Sequence, residues 1–236
     1  VGGNGTDSVY YSSSGTGVIV NLATGTGTGG DAEGDSLSEI ENLYGSSYAD
    51  QLTGDTLANI LSGGGGNDIL RGGDGDDTLN GGSGNDTLYG EAGVDDLHGG
   101  DGADTLYGGT GDDNLYGDDG DDTLNGGAGA DFIDGGTGND TVDYSNASSA
   151  VAADLGANTG TMGDALGDTF NSIENITGSD YDDTLIGGAG NNIITGGDGD
   201  DFMSGREGSD TLEGGAGTDT ADYSTCLLYT SDAADD

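Results

Sequence analysis

Fourteen aspartates recur at a regular spacing that could bind metal ions. From residue 63 to residue 143 the chain divides into nine nonapeptides, with glycine at positions 1 and 4 and aspartate at position 6. Calcium prefers oxygen ligands at about 2.3 to 2.6 Å, whereas zinc and copper favour His and Cys. The pattern therefore predicts a row of calcium sites. The predicted side-chain ligands are Asp50, Asp68, Asp77, Asp86, Asp95, Asp104, Asp113, Asp122, Asp131, Asp140, Asp183, Asp201, Asp210 and Asp219.

The regularly placed glycines are expected to serve the same sites. Glycine has no Cβ, so it adopts positive φ and lets backbone carbonyls approach an ion. Glu91 and Asp118 replace glycine at position 2, and their turns are expected to bind more weakly or to bend. Carbonyl ligands are expected in the loops around Gly64, Gly66, Gly73, Gly75, Gly82, Gly84, Gly100, Gly102, Gly109, Gly111, Gly127 and Gly129.

An aliphatic residue at position 8 indicates the element that carries these aspartates. A short strand forms around it and the glycine-rich remainder forms a turn, so two nonapeptides, or about 18 residues, close one rung. Stacked strands lie about 4.7 to 4.9 Å apart, so Asp68 and Asp86 should face each other across one rung spacing. The predicted fold is all-β, a parallel β-roll or calcium-stabilised β-solenoid. Pairing position-6 residues two nonapeptides apart gives up to about 12 calcium ions.

The repeats fall into three blocks separated by two spacers. Residues 1–10 end one block, 45–143 form the main block of eleven nonapeptides, and 178–222 form a block of five. Residues 11–44 and 144–177 are the spacers, and 223–236 begin a third spacer and then leave the pattern. Residues 5–70 align with 138–203 at an offset of 133, including Ile-Glu-Asn at 40–42 and 173–175. Each spacer contains an alternating apolar run, which predicts a strand, so we expect the spacers to continue the solenoid.

Charge limits the partners of this chain. It has 46 acidic residues against two arginines, a formal charge of −44, and therefore lacks the cationic surface that nucleic acid or anionic membranes require. We expect no membrane insertion by this chain. Without bound cations, self-repulsion and the backbone entropy of 54 glycines should keep it unfolded. Metal binding would then supply folding free energy, so we expect a coil-to-β transition in millimolar calcium.

No catalytic motif accompanies the repeats. A single histidine excludes a H-E-x-x-H zinc site, no G-x-S-x-G occurs, and the absence of lysine removes a P-loop or a Schiff base. We expect no catalytic activity in this chain. His98 is expected to be a surface residue, and position-5 aspartates such as Asp76 to be solvated. Tyr89, Tyr107 and Tyr116, at position 9, either are simple strand formers or make an aromatic stripe for sugar or partner binding.

The nonapeptide resembles the motif G-G-x-G-x-D-x-U-x of the RTX (repeats-in-toxin) family, the haemolysin-type calcium-binding repeat. The resemblance implies calcium between the turns of a parallel β-roll and export from Gram-negative bacteria by one-step (type I) secretion machinery. It further implies disorder in the low-calcium cytoplasm and folding outside the cell or at its surface. We expect a calcium-binding module with secretion, folding and scaffold or spacer roles in a larger exported protein. The alternatives are a ligand-binding segment of an RTX adhesin and the C-terminal part of a secreted RTX hydrolase or toxin.

The last residues depart from every pattern above. Residues 226–236 resemble a translated sequencing-library adapter, and we expect them to be an artefact. The sole cysteine, Cys226, lies in this tail, and its exclusion is consistent with a disulfide-free exported protein. We also expect the chain to be a fragment of a longer protein.

Overall fold

The computed structural model describes residues 1–224, whose regular secondary structure is almost entirely β. The expected artefact at 226–236 lies outside the described residues. Two short 3-10 helices, Gly30–Ala32 and Gly163–Ala165, lie in the spacers. Neither of these helices, the only ones in the described range, is long or apolar enough to cross a membrane.

The strands follow the nonapeptides in chain order. Their bounds are β1 (Ser8–Tyr10), β2 (Ile19–Asn21), β3 (Thr26–Thr28), β4 (Asn42–Tyr44), β5 (Gln51–Thr53), β6 (Ile60–Gly65), β7 (Ile69–Asp74), β8 (Thr78–Ser83), β9 (Thr87–Ala92), β10 (Asp96–Asp101), β11 (Thr105–Thr110), β12 (Asn114–Asp119), β13 (Thr123–Ala128), β14 (Phe132–Asp134), β15 (Thr141–Asp143), β16 (Ala152–Asp154), β17 (Thr159–Met162), β18 (Thr169–Asn171), β19 (Asn175–Thr177), β20 (Thr184–Ile186), β21 (Ile193–Asp198), β22 (Phe202–Ser204), β23 (Thr211–Ala216) and β24 (Thr220–Ala221).

Successive nonapeptides alternate between two sheets. One sheet has the order β1-β4-β6-β8-β10-β12-β14-β18-β17-β16-β20-β22-β24, and the other has the order β23-β21-β19-β15-β13-β11-β9-β7-β5-β2-β3. Within the main block the neighbouring strands are parallel and two nonapeptides apart, so that Leu97 pairs with both Leu79 and Leu115. The predicted parallel β-solenoid with about 18 residues per turn is confirmed.

The core is a double row of aliphatic side chains. Position 8 points inward from both sheets, and the nine residues from Leu70 to Val142 at this position are fully buried. Each rung adds one such side chain from each sheet, so the core lengthens with the repeats but does not thicken. Because a core this thin buries little apolar surface per residue, other interactions must help to hold the rungs together.

Eight strands of the main block, β6 to β13, have six residues each rather than the three expected. β8 runs from position 7 of one nonapeptide to position 3 of the next, and Gly82 in it pairs with Gly64 and Gly100. The glycines at positions 1 and 2 therefore remain in the parallel ladder, and only positions 4 to 6 form the turn. The ladder also continues through Glu91 and Asp118, whose φ angles of 77° and 71° are in the left-handed region that glycine favours.

Both spacers continue the solenoid, as the alternating apolar runs predicted. In the first, β2 pairs parallel with β5 of the next block and antiparallel with β3, and Val18 and Val20 are buried in the common core. In the second, β16 pairs parallel with β20 and antiparallel with β17, and Val151 and Ala153 are buried. Each spacer thus adds antiparallel strand pairing to a sheet, while its parallel pairing with the next block continues the solenoid.

Candidate metal centres

The position-6 aspartates line up in rows along the roll. In the main block each is at most 2% exposed, because it ends a tight turn and points back between the rungs. From Asp68 onward, its Oδ1 accepts a hydrogen bond from the backbone N–H of the position-6 residue one rung earlier. Asp86 accepts from Asp68 at 2.7 Å, and Asp122 accepts from Asp104 at 2.7 Å. The expected arrangement of aspartates on successive rungs is confirmed.

The second carboxylate oxygen has no protein partner. Oδ2 is buried and makes no hydrogen bond within residues 1–224 in eleven position-6 aspartates, namely ten of the predicted ligands and Asp7 of the first nonapeptide. Burial raises the pKa of Asp113 to about 7 from 3.8, although a backbone hydrogen bond from Asp95 lowers it. A buried ionised carboxylate is costly unless it meets a cation. The ten are Asp68, Asp77, Asp86, Asp95, Asp104, Asp113, Asp122, Asp131, Asp140 and Asp201.

A backbone carbonyl converges with this oxygen at most of the position-1 glycines. A Cβ built on Gly99 would overlap Asp104 Oδ2 and lie 2.7 Å from the carbonyl oxygen of Gly117. Similar overlaps occur at Gly108, with Asp113 and Gly126. A carboxylate oxygen and a carbonyl oxygen therefore border a space that only glycine leaves open, and these are hard oxygen ligands of the type that calcium prefers.

Backbone oxygens must form a large part of any such site. Residues 1–224 contain no group of three or more His, Cys, Asp or Glu side chains that could hold a metal. Eleven of the twelve loop glycines predicted to present carbonyls have positive φ, from 93° at Gly127 to 142° at Gly102. Gly129 lies outside that conformation. The residues present therefore fit calcium through mixed carboxylate and carbonyl coordination.

The remaining predicted ligands have different surroundings. Asp50 Oδ2 accepts from Ser46 N–H, and its Oδ1 accepts from the Ser46 hydroxyl and from Val18 N–H. Asp183 has the equivalent contacts with Ser179 and Val151. The chain itself thus satisfies these two carboxylates. Asp210 and Asp219 are more exposed, in the last rungs of the described range. Calcium binding by these four stays a prediction, as it does for the other ten aspartates.

Two kinds of residue satisfy buried oxygen atoms with hydrogen bonds from the chain itself, a role that the sequence did not predict for them. Asn59 occupies position 6, and its Nδ2 donates to the carbonyl of Glu41 at 3.0 Å, as Asn192 does to Glu174 at 2.6 Å. The tyrosine that opens each spacer has a similar role. Tyr144 donates its hydroxyl hydrogen to Asp168 Oδ2 at 2.7 Å, and Tyr11 donates to Asp35 at 2.8 Å. The signal that could have identified them is their repetition in the two aligned modules.

Position-5 aspartates are exposed, as expected, but their side chains accept hydrogen bonds from the backbone of the next rung. Asp76 Oδ1 accepts from Val94 N–H at 3.0 Å, and Asp112 Oδ1 accepts from Ala130 N–H at 2.9 Å. The other two predicted solvated charges, Asp121 and Asp200, make the same contact one rung ahead. These side chains therefore tie the outside of each turn to the next one.

The position-9 aromatic residues stack on one another. Tyr89 and Tyr107 lie on one sheet with ring centroids 5.0 Å apart, and the Arg71 guanidinium lies 3.9 Å from the Tyr89 centroid. His98 and Tyr116 stack at 4.5 Å on the opposite sheet. The three tyrosines therefore do not form one continuous stripe, because Tyr89 and Tyr107 lie on one sheet and Tyr116 lies on the other. His98 is partly exposed, with Nδ1 3.3 Å from an oxygen of Asp118.

Comparison with known proteins identifies the repeat. The RTX calcium-binding nonapeptide repeat family matches residues 44–79, 53–88, 71–106, 107–142, 169–203, 177–212 and 187–221. No curated protein matches the chain. The matches cover well over half of the sequence, and the matched repeat is a calcium-binding structural fold. The chain belongs to the RTX calcium-binding nonapeptide repeat family.

Proposed function

We propose that this chain is a module whose β-roll is stable only with calcium bound in the rows of position-6 aspartates. The observation that carries the proposal is the series of buried Oδ2 atoms without protein partners, nearly all of which lie beside a carbonyl oxygen at a position-1 glycine. Bound calcium supplies positive charge and accepts these oxygens as ligands. The aspartates hold the rungs in register through Oδ1 and present Oδ2 to the ion.

The charge of the chain supports calcium-dependent folding. Two arginines oppose 46 acidic residues, and the position-6 carboxylates are stacked at rung spacing in a water-poor edge. The core is too thin to overcome that repulsion, so the rungs separate when no cation is present. Binding free energy then becomes folding free energy.

The expected calcium affinity would make folding depend on whether the chain is inside or outside the cell. Extracellular calcium modules bind at about 10⁻⁴ to 10⁻³ M, far above cytosolic calcium, so the chain would stay unfolded before export and fold outside the cell. Type I secretion, an extracellular or cell-surface location, and a spacer or scaffold role in a larger protein are part of this proposal. The domain bounds 11–44, 45–143, 144–177 and 178–222 then describe alternating spacers and calcium-binding blocks. The stoichiometry proposed is up to about 12 ions.

A calcium titration of the full chain, followed by far-UV circular dichroism, tests the proposal. The informative variant is Asp104→Ala with Asp113→Ala, which removes two buried Oδ2 atoms from opposite edges of the roll. The matched control is Asp74→Ala with Asp101→Ala, which removes the same charge from exposed position-3 side chains.

We expect a cooperative gain of β signal in the wild type at millimolar calcium, a control close to it, and a weaker transition in the buried pair. An equal β signal in excess chelator would contradict calcium-dependent folding. Equal calcium midpoints in the two double variants would contradict the assigned sites.

A further inference from the structure

An oxygen site of a different composition lies where the second spacer rejoins the roll. Asp140 belongs to the last repeat of the main block, its side chain is fully buried, and its Oδ2 has no hydrogen-bond partner. Within a block, the backbone N–H of a position-6 residue meets an aspartate of the next rung, as that of Asp122 meets Asp140. Here the spacer intervenes, and the Asp140 N–H donates instead to Glu174 Oε2 at 2.9 Å, 34 residues ahead.

The carbonyl oxygen that completes the usual arrangement is also replaced. A Cβ on Gly135 would lie 2.5 Å from Asp140 Oδ2 and would overlap the carbonyl oxygen of Ser172. Ser172 has φ of 49°, a conformation that is unusual for a non-glycine residue and that directs its carbonyl to this place. In the main block the corresponding carbonyl comes from a position-1 glycine of the next rung.

The same combination occurs at the first spacer. Asp7 donates its N–H to Glu41 Oε2 at 2.8 Å, and Asp7 Oδ2 is buried without a partner. A Cβ on Gly2 would lie 2.6 Å from Asp7 Oδ2 and would overlap the carbonyl of Glu39, whose φ is 57°. All of these residues lie 133 positions before their counterparts. The residue types are the same except that Glu39 stands where the second module has Ser172. A structure repeated in both modules, with an unfavourable φ each time, is a built feature.

A simple hydrogen-bond acceptor would not need a carboxylate at this place. The amide of Gln or Asn would accept the Asp140 N–H equally well and would add no negative charge beside a buried carboxylate. On the next rung the chain does use an amide, since Asn192 Oδ1 accepts from the Gly188 N–H while its Nδ2 donates to the Glu174 carbonyl. The glutamate is therefore best explained by a cation between it and Asp140.

We propose that Asp140, the Ser172 carbonyl and Glu174 bind one calcium ion, and that Asp7, the Glu39 carbonyl and Glu41 bind another. This inference rests on the proposed function, because it extends the same calcium rows across the spacers. On this edge the row passes from Asp140 to Glu174, and an amide replaces the carboxylate at Asn192 before the row resumes at Asp210. On the opposite edge it ends at Asp168, whose Oδ2 is closed by the Tyr144 hydroxyl.

Counting calcium ions per chain by native mass spectrometry tests the inference. Glu174→Gln keeps an oxygen that can accept the Asp140 N–H but removes the charge, and Glu41→Gln does the same at the first spacer. Glu213→Gln is the matched control, because it removes one charge from an exposed strand position. At calcium concentrations that saturate the wild type, we expect one ion fewer in each single variant and two fewer in the double variant.

The outcomes separate this inference from the proposed function. If wild type binds several ions and the glutamate variants bind the same number as Glu213→Gln, the spacer sites are wrong and the main rows stand. If wild type binds no calcium, both proposals fall. Circular dichroism in calcium accompanies each count. If Glu174→Gln lost its β signal, Glu41→Gln alone, at the edge of the described roll, would decide through the same count.

Discussion

Gly99→Ala tests the metal site by placing a methyl group in the space between Asp104 and Gly117. The backbone of Gly99 lies outside the left-handed region, so alanine is conformationally allowed there. Its Cβ would overlap Asp104 Oδ2 and lie 2.7 Å from the Gly117 oxygen, where ordinary contact begins at 3.4 Å. The carbonyl must therefore move by about 0.7 Å, which exceeds the roughly 0.3 Å spread of calcium–oxygen distances.

The expected loss has two parts. Overpacking costs about 1 to 3 kcal/mol. Loss of the ion adds about 1.4 kcal/mol when free calcium is ten times the dissociation constant, from RT ln(1 + [L]/Kd). Together they predict a decrease of about 2 to 4 kcal/mol in the free energy of unfolding in calcium.

Urea unfolding at fixed calcium measures this decrease, and a calcium titration gives the midpoint. Gly190→Ala is the matched control, since a Cβ there meets no atom within 4 Å. The control should equal the wild type or exceed it slightly, because alanine reduces the entropy of the unfolded chain. If Gly99→Ala and Gly190→Ala bound the same number of ions with the same midpoint, the space between Asp104 and Gly117 would not be a metal site.

Three further predictions concern the same architecture. Burial raises the pKa of Asp113 to about 7 from 3.8, so protonation of this carboxyl stabilises the folded state fully below pH 3.8, and the stabilisation is lost as the pH rises through 7. In excess chelator, circular dichroism should therefore show more β-structure at pH 5 than at pH 8. Tyr144→Phe leaves Asp168 Oδ2 buried without its donor and should cost about 1 to 3 kcal/mol in urea unfolding, whereas Tyr223→Phe, at an exposed position, should cost little. Leu106→Ala removes a fully buried core side chain and should cost about 2 to 5 kcal/mol in the same measurement with calcium present, and a loss below about 1 kcal/mol would contradict a tightly packed core.

The repeat made most of the fold predictable. Position 8 alternates from one sheet to the other with each nonapeptide, so a rung of two nonapeptides and a double aliphatic row followed from Leu70 to Val142 alone. The location of the aspartates at the turns followed in the same way. Strand length was underestimated, because glycine at positions 1 and 2 suggested a turn although inter-rung pairing keeps these residues extended.

The candidate ligands could be predicted by type but not separated by environment. Asp50 and Asp104 both occupy position 6, yet Ser46 satisfies the first carboxylate, whereas Oδ2 of the second is buried alone. Asp168 is as buried as the predicted ligands of the main block, but its Oδ2 accepts a hydrogen bond from the hydroxyl of Tyr144, 24 residues earlier. These differences depend on contacts between rungs, which no single nonapeptide contains.

The sequence by itself determined the periodic features of this protein, namely the rung of two nonapeptides, the inward aliphatic rows and the acidic turns, because each depends on local spacing that recurs. Only the tertiary structure decided how the rows behave at the spacers. There Glu174, 34 residues after Asp140, accepts the Asp140 N–H in place of an aspartate. On the other edge the Tyr144 hydroxyl donates to Asp168, the last carboxylate of that row. The physical reason is that hydrogen-bond satisfaction of a buried oxygen is set by neighbours in space, and the spacers change which residues become neighbours.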